Sequence, residues 1–398
     1  MKNFIRSLKK IILILFCGFY GMALKAFPDG ENPIISPYKI EKESIYNTMR
    51  NSSMGGTASV FPMGFEALLY NPGGFSQKLK YEAGALYFGL GFDSYFRPEY
   101  LVPMIESIGF QNSSDKEANI LINAKELITS SGVGIGTGFG FGFVPEKKSF
   151  GIGIYGGGTV YLSGKPFPLG TEGFIKFSIN FPIGYSFEII ENSKCQFDIG
   201  ISLTPEIAII KNLKGSDVDA LAGGTATIQE MVSDVVENPY YCVPINIGSI
   251  FTFLDKPYEN AEIRFSFVGK NLFGNYFSSR NERNIIKKER AYSFGTGLYL
   301  PFDIMTIKCS GIFSMEIAGI NQIIEGNSDF WKALKLGSEL NIGNAVFLRG
   351  GLTSGYPSLG AEIKIFQLGL GFSWQTIEEG LYIGDNPVSI FRVSINIY

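Results

Sequence analysis

"GVGIGTGFGFGF", residues 132–143, places glycine at every second position, with Val133, Ile135, Thr137, Phe139, Phe141 and Phe143 between. A period of two is that of a β-strand, whose successive side chains point to opposite faces. Glycine inside a strand packs nothing and loses much backbone entropy, so a face of six glycines reads as clearance for something lying close against it. The other face is apolar enough for a core or for lipid. Glycine at this spacing also marks dinucleotide-binding turns, but those open an amphipathic helix, whereas this run continues as strand into "VPEKKS".

The same period recurs along the chain. In "FIKFSINFPIGYSFE", Ile175 to Phe187 alternate with Lys176 to Glu188, and "KCQFDIGISLTPEI" alternates likewise. Fourteen candidate strands follow: 81–92, 132–143, 150–162, 174–188, 194–209, 243–253, 261–269, 291–300, 304–317, 333–342, 345–352, 358–365, 368–376 and 389–397. The connections after odd-numbered strands hold 39, 11, 33, 21, 15, 5 and 12 residues, and those after even-numbered ones hold 6, 5, 7, 3, 2 and 2. Short turns at one end and long loops at the other are the pattern of a membrane β-barrel, and a soluble sandwich does not keep that phase. The fold expected is therefore all-β, a transmembrane antiparallel barrel of about 14 strands. An even number returns both ends of the barrel to the short-turn side. The chain closes on the aromatic Tyr398, as barrel-insertion signals do, although Phe391, Val393, Ile395 and Ile397 sit out of phase with it.

Composition agrees with this reading and narrows the function. There are 49 glycines, 14% aromatic residues and only 18% charged residues. Histidine is absent, which removes Ser-His and Cys-His catalysis and the commonest zinc ligand. No enzyme, metal or cofactor is expected. The opening "MKNFIRSLKKIILILFCGFYGMALKAF" has the layout of a secretory signal peptide cut after Ala26, and no later stretch is apolar for long enough to span a membrane as a helix. Cleavage there leaves 29 basic against 37 acidic residues, which implies no nucleic-acid partner. Cys195, Cys242 and Cys309 remain, an odd number that makes no disulfide framework.

The organisation read from the chain is a signal peptide at 1–26, a plug at 27–80 and the barrel at 81–398. Residues 27–80 are too few to bury a core of their own, so they are expected to fold inside the barrel. Within them, "MGGTASVFPMGFEALLYNPGGF", residues 54–75, resembles the N-terminal hatch of the FadL-type long-chain fatty-acid transporters and their PorV-like relatives. The matching motif is Asn71, Pro72, Gly73 and Gly74, where those families typically have Asn-Pro-Ala-Gly. Met63, Gly64 and Phe65 stand where an acidic pair is common. "VGKNLFG" at 268–274 and "FLRGGLTSGYPSLGAEI" at 347–363 add to the likeness. The resemblance implies a 14-stranded outer-membrane barrel, monomeric, inserted by the barrel-assembly machinery among outer-membrane lipids, with passage of fatty acids or other hydrophobic small molecules. The PorV-like branch implies instead a docking or shuttle barrel for secreted proteins.

Residues expected to line the lumen are Tyr87, Gly134, Gly136, Gly138, Tyr155 and Tyr161, a set without charge. The glycine face clears room for the hatch or for a greasy ligand path. Strands four and five turn Lys176, Lys194, Asp198 and Glu206 inward, which keeps a general porin as an alternative. In the loops, Ser114 with Glu117 and Thr227 with Glu230 form capping boxes of short helices, the second presenting Ile228, Met231, Val232 and Val235 on one face. These apolar residues pack on neighbouring loops or, by the resemblance, dock ligand. The loop 270–290, with six basic residues, is either solvated or in contact with anionic groups. Gly156, Gly157 and Gly158 occupy both faces of the third strand and are expected to weaken it. In the FadL type that strand carries a kink that opens the wall sideways to lipid. A bend that merely accommodates the hatch is the other reading.

Overall fold

The computed structural model describes residues 47–76, 86–96, 133–145, 149–163, 172–213, 216, 239–255, 261–273, 275–278, 286–326, 328–378, 383–384 and 387–398. Residues 1–46 and 77–85, with the expected signal peptide, and the two loops in which capping boxes are expected lie outside them. The described strands form a closed antiparallel barrel of fourteen strands. They are β1 (Leu86–Phe96), β2 (Val133–Phe143), β3 (Phe150–Ser163), β4 (Glu172–Asn180 and Ile183–Glu191), β5 (Cys195–Leu203 and Glu206–Leu213), β6 (Tyr240–Cys242 and Ile245–Asp255) and β7 (Ala261–Lys270 and Asn275–Ser278). The circuit continues through β8 (Ala291–Ile304), β9 (Ile307–Ile317), β10 (Leu334–Ile342), β11 (Val346–Thr353), β12 (Tyr356–Ile365), β13 (Leu368–Glu378) and β14 (Pro387–Ile397). It closes where β14 pairs with β1, from Phe88↔Ile397 to Phe96↔Ser389.

Outward positions are apolar and exposed, as in Phe177, Ile179, Phe181, Ile183, Tyr185 and Phe187 of β4, while the alternate Ser178, Asn180, Pro182, Gly184 and Ser186 are buried inward. This is the arrangement lipid requires, since every backbone polar group finds a partner within a closed ladder. Among the described residues no helix is long and apolar enough to cross a membrane.

Strand ends follow their partners rather than local pattern. β8 continues past Pro301 and the inward Asp303 to Ile304, because Ile304 pairs with Ile307 and closes a two-residue turn at Met305 and Thr306. Two larger departures concern β4 and β5, which the alternation reads as single strands. Each is interrupted, β4 at Phe181-Pro182 and β5 at Thr204-Pro205, and β6 breaks at Val243-Pro244. Proline lacks the N–H that a ladder needs, so pairing lapses there although the inside–outside alternation carries through. Lys194, expected inward, stands exposed at the tip of the β4–β5 turn, where there is no wall to face. Tyr398 turns inward, its hydroxyl donating to Glu362 Oε1 at 2.5 Å.

Candidate functional site

Residues 47–76 lie within the wall: they follow it in reverse strand order from β14 to β8, cross to β2 and β3 at Phe65 and Leu68, and then run from β6 to β4. Helix α1 (Met49–Ser53) is capped by Thr48, whose hydroxyl accepts the Asn51 N–H at 3.2 Å. From it, Ser52 reaches Arg392 on β14 (2.5 Å), the Ser53 carbonyl accepts from Ser358 on β12 (3.0 Å), and Thr57 meets Ser314 on β9 (2.7 Å). Ser59 then bonds Glu316 of β9. After helix α2 (Glu66–Leu69), Asn71 makes a turn by accepting the Gly73 N–H at 3.0 Å, and its amide donates to the carbonyls of Ser59 (2.9 Å) and Ser249 on β6 (3.4 Å). Pro72 opens the short 3₁₀ turn Pro72–Ser76, which ends with Ser76 bonded to Ser186 of β4.

Wall glycines make this close seating possible. A Cβ at Gly371, Gly360, Gly337, Gly297, Gly142, Gly248, Gly200 or Gly184 would overlap or crowd, in turn, Met49, Ser53, Thr57, Phe61, Phe65, Asn71, Pro72 or Phe75. The glycines of 132–143 thus divide their work. Gly142 receives Phe65, whereas Gly134 receives Tyr161 and Gly136 receives Tyr95 from neighbouring strands; Gly138 pairs with Gly91 and Gly157.

Buried charge fastens the segment. Arg50 donates through Nε to Glu339 on β10 (2.9 Å) and through Nη1 to Glu66 (2.7 Å) and the Phe61 carbonyl (2.9 Å). Glu339 also accepts from Arg349 (2.6 Å), which reaches Glu362 (2.9 Å). A second clamp comes from the wall, where Arg392 is bidentate to Asp93 (2.6 Å and 2.6 Å) and donates to the Asn47 carbonyl (2.8 Å). Burial alone lowers the Arg50 pKa, but the Glu339 and Glu66 carboxylates outweigh it and hold the guanidinium above its ordinary value. Burial, seconded by Glu66, pushes the Tyr70 phenol up, so it stays neutral while accepting the Thr48 N–H (2.8 Å) and donating to Asn47 (2.5 Å).

Towards the loop end the lining changes. Tyr95, Tyr161, Phe174, Ile377, Val388 and Ile390, inward residues of β1, β3, β4, β13 and β14, form one buried apolar cluster. Tyr161 and Phe174 have ring centroids 5.9 Å apart. Nearer the inner segment, Tyr87 stacks on Phe65 at 4.9 Å and donates to Asn396 (3.0 Å), and Tyr155 joins Phe65, Leu68 and Phe75. Lys176, Asp198 and Glu206 are buried inward as expected. Glu206 accepts from Tyr276 (2.8 Å) and from Lys288, and Lys270 lies 5.2 Å over the Tyr70 ring, so two lysines of the basic 270–290 loop face inner groups.

The third strand has no gap at Gly156, Gly157 and Gly158. They pair in register with Phe139, Gly138 and Thr137 on β2 and with Ile179, Ser178 and Phe177 on β4. A Cβ at Gly156 would overlap the Ser178 carbonyl oxygen and one at Gly158 the Phe177 ring, so these glycines admit a close neighbour strand. The discontinuity lies beside them. Gly153 donates to the Pro182 carbonyl (2.9 Å), Phe181 to that of Pro205 (2.8 Å) and Thr204 to that of Pro244 (3.0 Å). Each contact is half of an antiparallel bonded pair, and the proline opposite supplies no reciprocal N–H. On β7 the register with β6 shifts by two residues between the pairs Gly269↔Ile247 and Phe277↔Tyr241. These breaks form one seam across β3 to β7, and Gly184, Gly200 and Gly248, which seat Pro72 and its neighbours, lie within four residues of it.

Of the residues singled out by sequence, Tyr87 and Tyr155 meet the inner segment at Phe65 and Phe75, Asn71 and Pro72 rest on Gly248 and Gly200, Tyr161 lies in the loop-end cluster, and Gly134, Gly136, Gly138 and Gly156–Gly158 sit in the wall against neighbouring strands. Ile228, Met231, Val232 and Val235 lie outside the described residues. Asn47, Thr48, Arg50 and Ser52 were not singled out, because a five-residue helix has no periodicity to reveal it and its partners are some 300 residues away.

No family model matches the chain, and no curated protein matches it. Among solved structures, the toluene transporter TbuX of Ralstonia pickettii is similar at 14% identity, covering 88% of this chain and 97% of that one, with a TM-score of 0.45. A FadL homologue of Pseudomonas aeruginosa has 7% identity, 92% and 99% coverage and a TM-score of 0.38. CdiB from Acinetobacter baumannii reaches the same 0.38 at 9% identity, covering 79% of this chain and 60% of that one.

Proposed function

We propose that this chain is an outer-membrane conduit for hydrophobic small molecules, long-chain fatty acids among them, with residues 27–80 acting as a hatch. The observation that carries the proposal is the change of lining along the lumen. Around the inner segment, charges are paired and buried. On the loop side of it, the inward positions are apolar and pack together as the buried cluster of Tyr95, Tyr161, Phe174, Ile377, Val388 and Ile390, a lining that water-filled pores do not have. TbuX is a toluene transporter, and the proposal for this chain is of the same kind.

Val388→Asp tests it by placing a carboxylate in that cluster, on an inward position that does not touch residues 47–76. Uptake of radiolabelled oleate by cells carrying the variant is expected to fall at least about tenfold, the order of effect of an unpaired buried charge, with heat-modifiable gel migration unchanged. Uptake at the level of the parent chain by a correctly assembled variant refutes the conduit. Mass spectrometry of the purified barrel separates this from the docking reading, which requires a protein partner in place of lipid.

The sideways exit belongs to the same proposal. We place it between Gly156–Gly158 and the proline break of β4, where the Gly153–Pro182 pair keeps only one of its two ladder hydrogen bonds. Ile154 and Phe181 are opposite each other there on outward positions of a non-bonded pair, whose Cα separation suits a disulfide. The Ile154→Cys/Phe181→Cys chain, oxidised, is expected to lose most of its oleate uptake and to regain it on reduction. Uptake indifferent to reductant removes the exit from this place.

A further inference from the structure

Tight two-residue turns need φ above zero, where glycine, asparagine and aspartate are the easy choices. At the short-turn end, the β10–β11 turn obeys this with Asn344 (φ 56°). The two turns flanking it do not. The β8–β9 turn carries Met305 (φ 56°) and the β12–β13 turn carries Phe366 (φ 57°) in the same conformation. Both side chains point away from all protein, with relative exposures of 96% and 94%. A phenylalanine and a methionine in strained backbone, fully exposed at turn tips, is the reverse of what water selects.

The outward faces of the strands carry the lipid-facing band down to both tips, where Thr306 and Gln367 are the second turn residues and Asp303 and Lys308 face each other at the rim of β8 and β9. Leu298, Leu300, Phe302 and Ile304 lead down β8 to Met305, and Ile363 and Ile365 lead down β12 to Phe366, with Leu368, Leu370 and Phe372 rising again on β13. The β4–β5 tip, by contrast, is Glu191, Asn192, Ser193 and Lys194, all exposed. The far boundary of the band is marked by Trp374 on β13, stacked with the outward Phe391, and by the exposed Trp331, since tryptophan collects at the headgroup level. Trp374 and Phe366 are eight residues apart in sequence. That is a rise of about 20 Å for a strand tilted by about 40°, against an apolar band about 25 Å tall. The tip therefore ends short of the opposite boundary.

We propose that Met305 and Phe366 are seated among the acyl chains of the leaflet at the short-turn end, so that the barrel is shorter than the hydrocarbon on the side of β8 to β13. The occupant of these tips is lipid, and the leaflet there must thin or the barrel tilt to bring polar backbone to the interface.

The unmodified full-length barrel, reconstituted in phosphatidylcholine vesicles that contain lipid with a diazirine midway along one acyl chain, provides the test. Photolysis is expected to give carbene adducts on Met305 and Phe366 and none on Asn192 of the polar β4–β5 tip, and hydroxyl-radical oxidation of Met305 is expected to be at least about tenfold slower in vesicles than in the urea-unfolded chain. Oxidation of Met305 at the unfolded rate would mean that the tips are in water, and overturns the proposal. Protection from both reagents would mean that another copy of the chain covers the tips, and overturns it equally.

Discussion

Deleting residues 47–76 is expected to raise single-channel conductance in planar bilayers by at least about tenfold, while the barrel still closes, because barrels of this size and larger hold water once nothing fills them. Closure should survive because the strand pairings are made between wall strands and do not involve the segment. The charges left behind also keep partners: Arg349 retains Glu339 and Glu362, and Arg392 retains Asp93. What is lost is the filling itself, from Met49 against Gly371 round to Phe75 against Gly184. Glycines that once admitted the segment would then enlarge an open lumen. Heat-modifiable migration confirms closure, and conductance unchanged in a closed barrel would mean that residues 47–76 do not block the path of ions.

Arg50→Ala is expected to destabilise the folded chain by about 3–5 kcal/mol, the usual effect of removing one partner from a buried ionic cluster. Arg50 and Arg349 together face Glu66, Glu339 and Glu362. Without Arg50 two carboxylates are left in excess instead of one, out of reach of water. Urea unfolding in lipid vesicles measures the loss. If the excess charge is the cause, Arg50→Met combined with Glu66→Gln, which restores the balance, recovers a large part of it. A double variant no more stable than Arg50→Ala would assign the loss to packing alone.

Much of the wall was legible in the sequence because alternation is a property of one strand at a time. Phe177 and Lys176 declare their faces without reference to any partner, and the fourteen segments with their alternating connections follow from that. The seam was not legible, although Pro182 and Pro205 were in view within the candidate strands. Whether the breaks fall at one level depends on register between chains of residues far apart, which periodicity does not carry. The seating of the inner segment is hidden for the same reason. Asn71 and Pro72 announce a turn, but that the turn rests on Gly200 and Gly248 is a fact of three dimensions. Arg50 and Glu339, 289 positions apart, show no sign of each other in composition or spacing.

A closed ladder is a hoop, and a hoop deforms where it is least stiff. From β8 through β14 to β3 the hydrogen-bonded pairs run without a gap, while from β3 to β7 three prolines and a register shift lie side by side. Compression from the surrounding bilayer therefore meets unequal resistance: the continuous arc is held by every ladder bond, and the arc with the proline breaks is held by fewer. The Asn71–Phe75 turn sits behind that second arc as an inner brace. Bilayer composition, through the lateral pressure it exerts, thereby gains mechanical leverage on the one sector of the wall that the inner segment supports from behind.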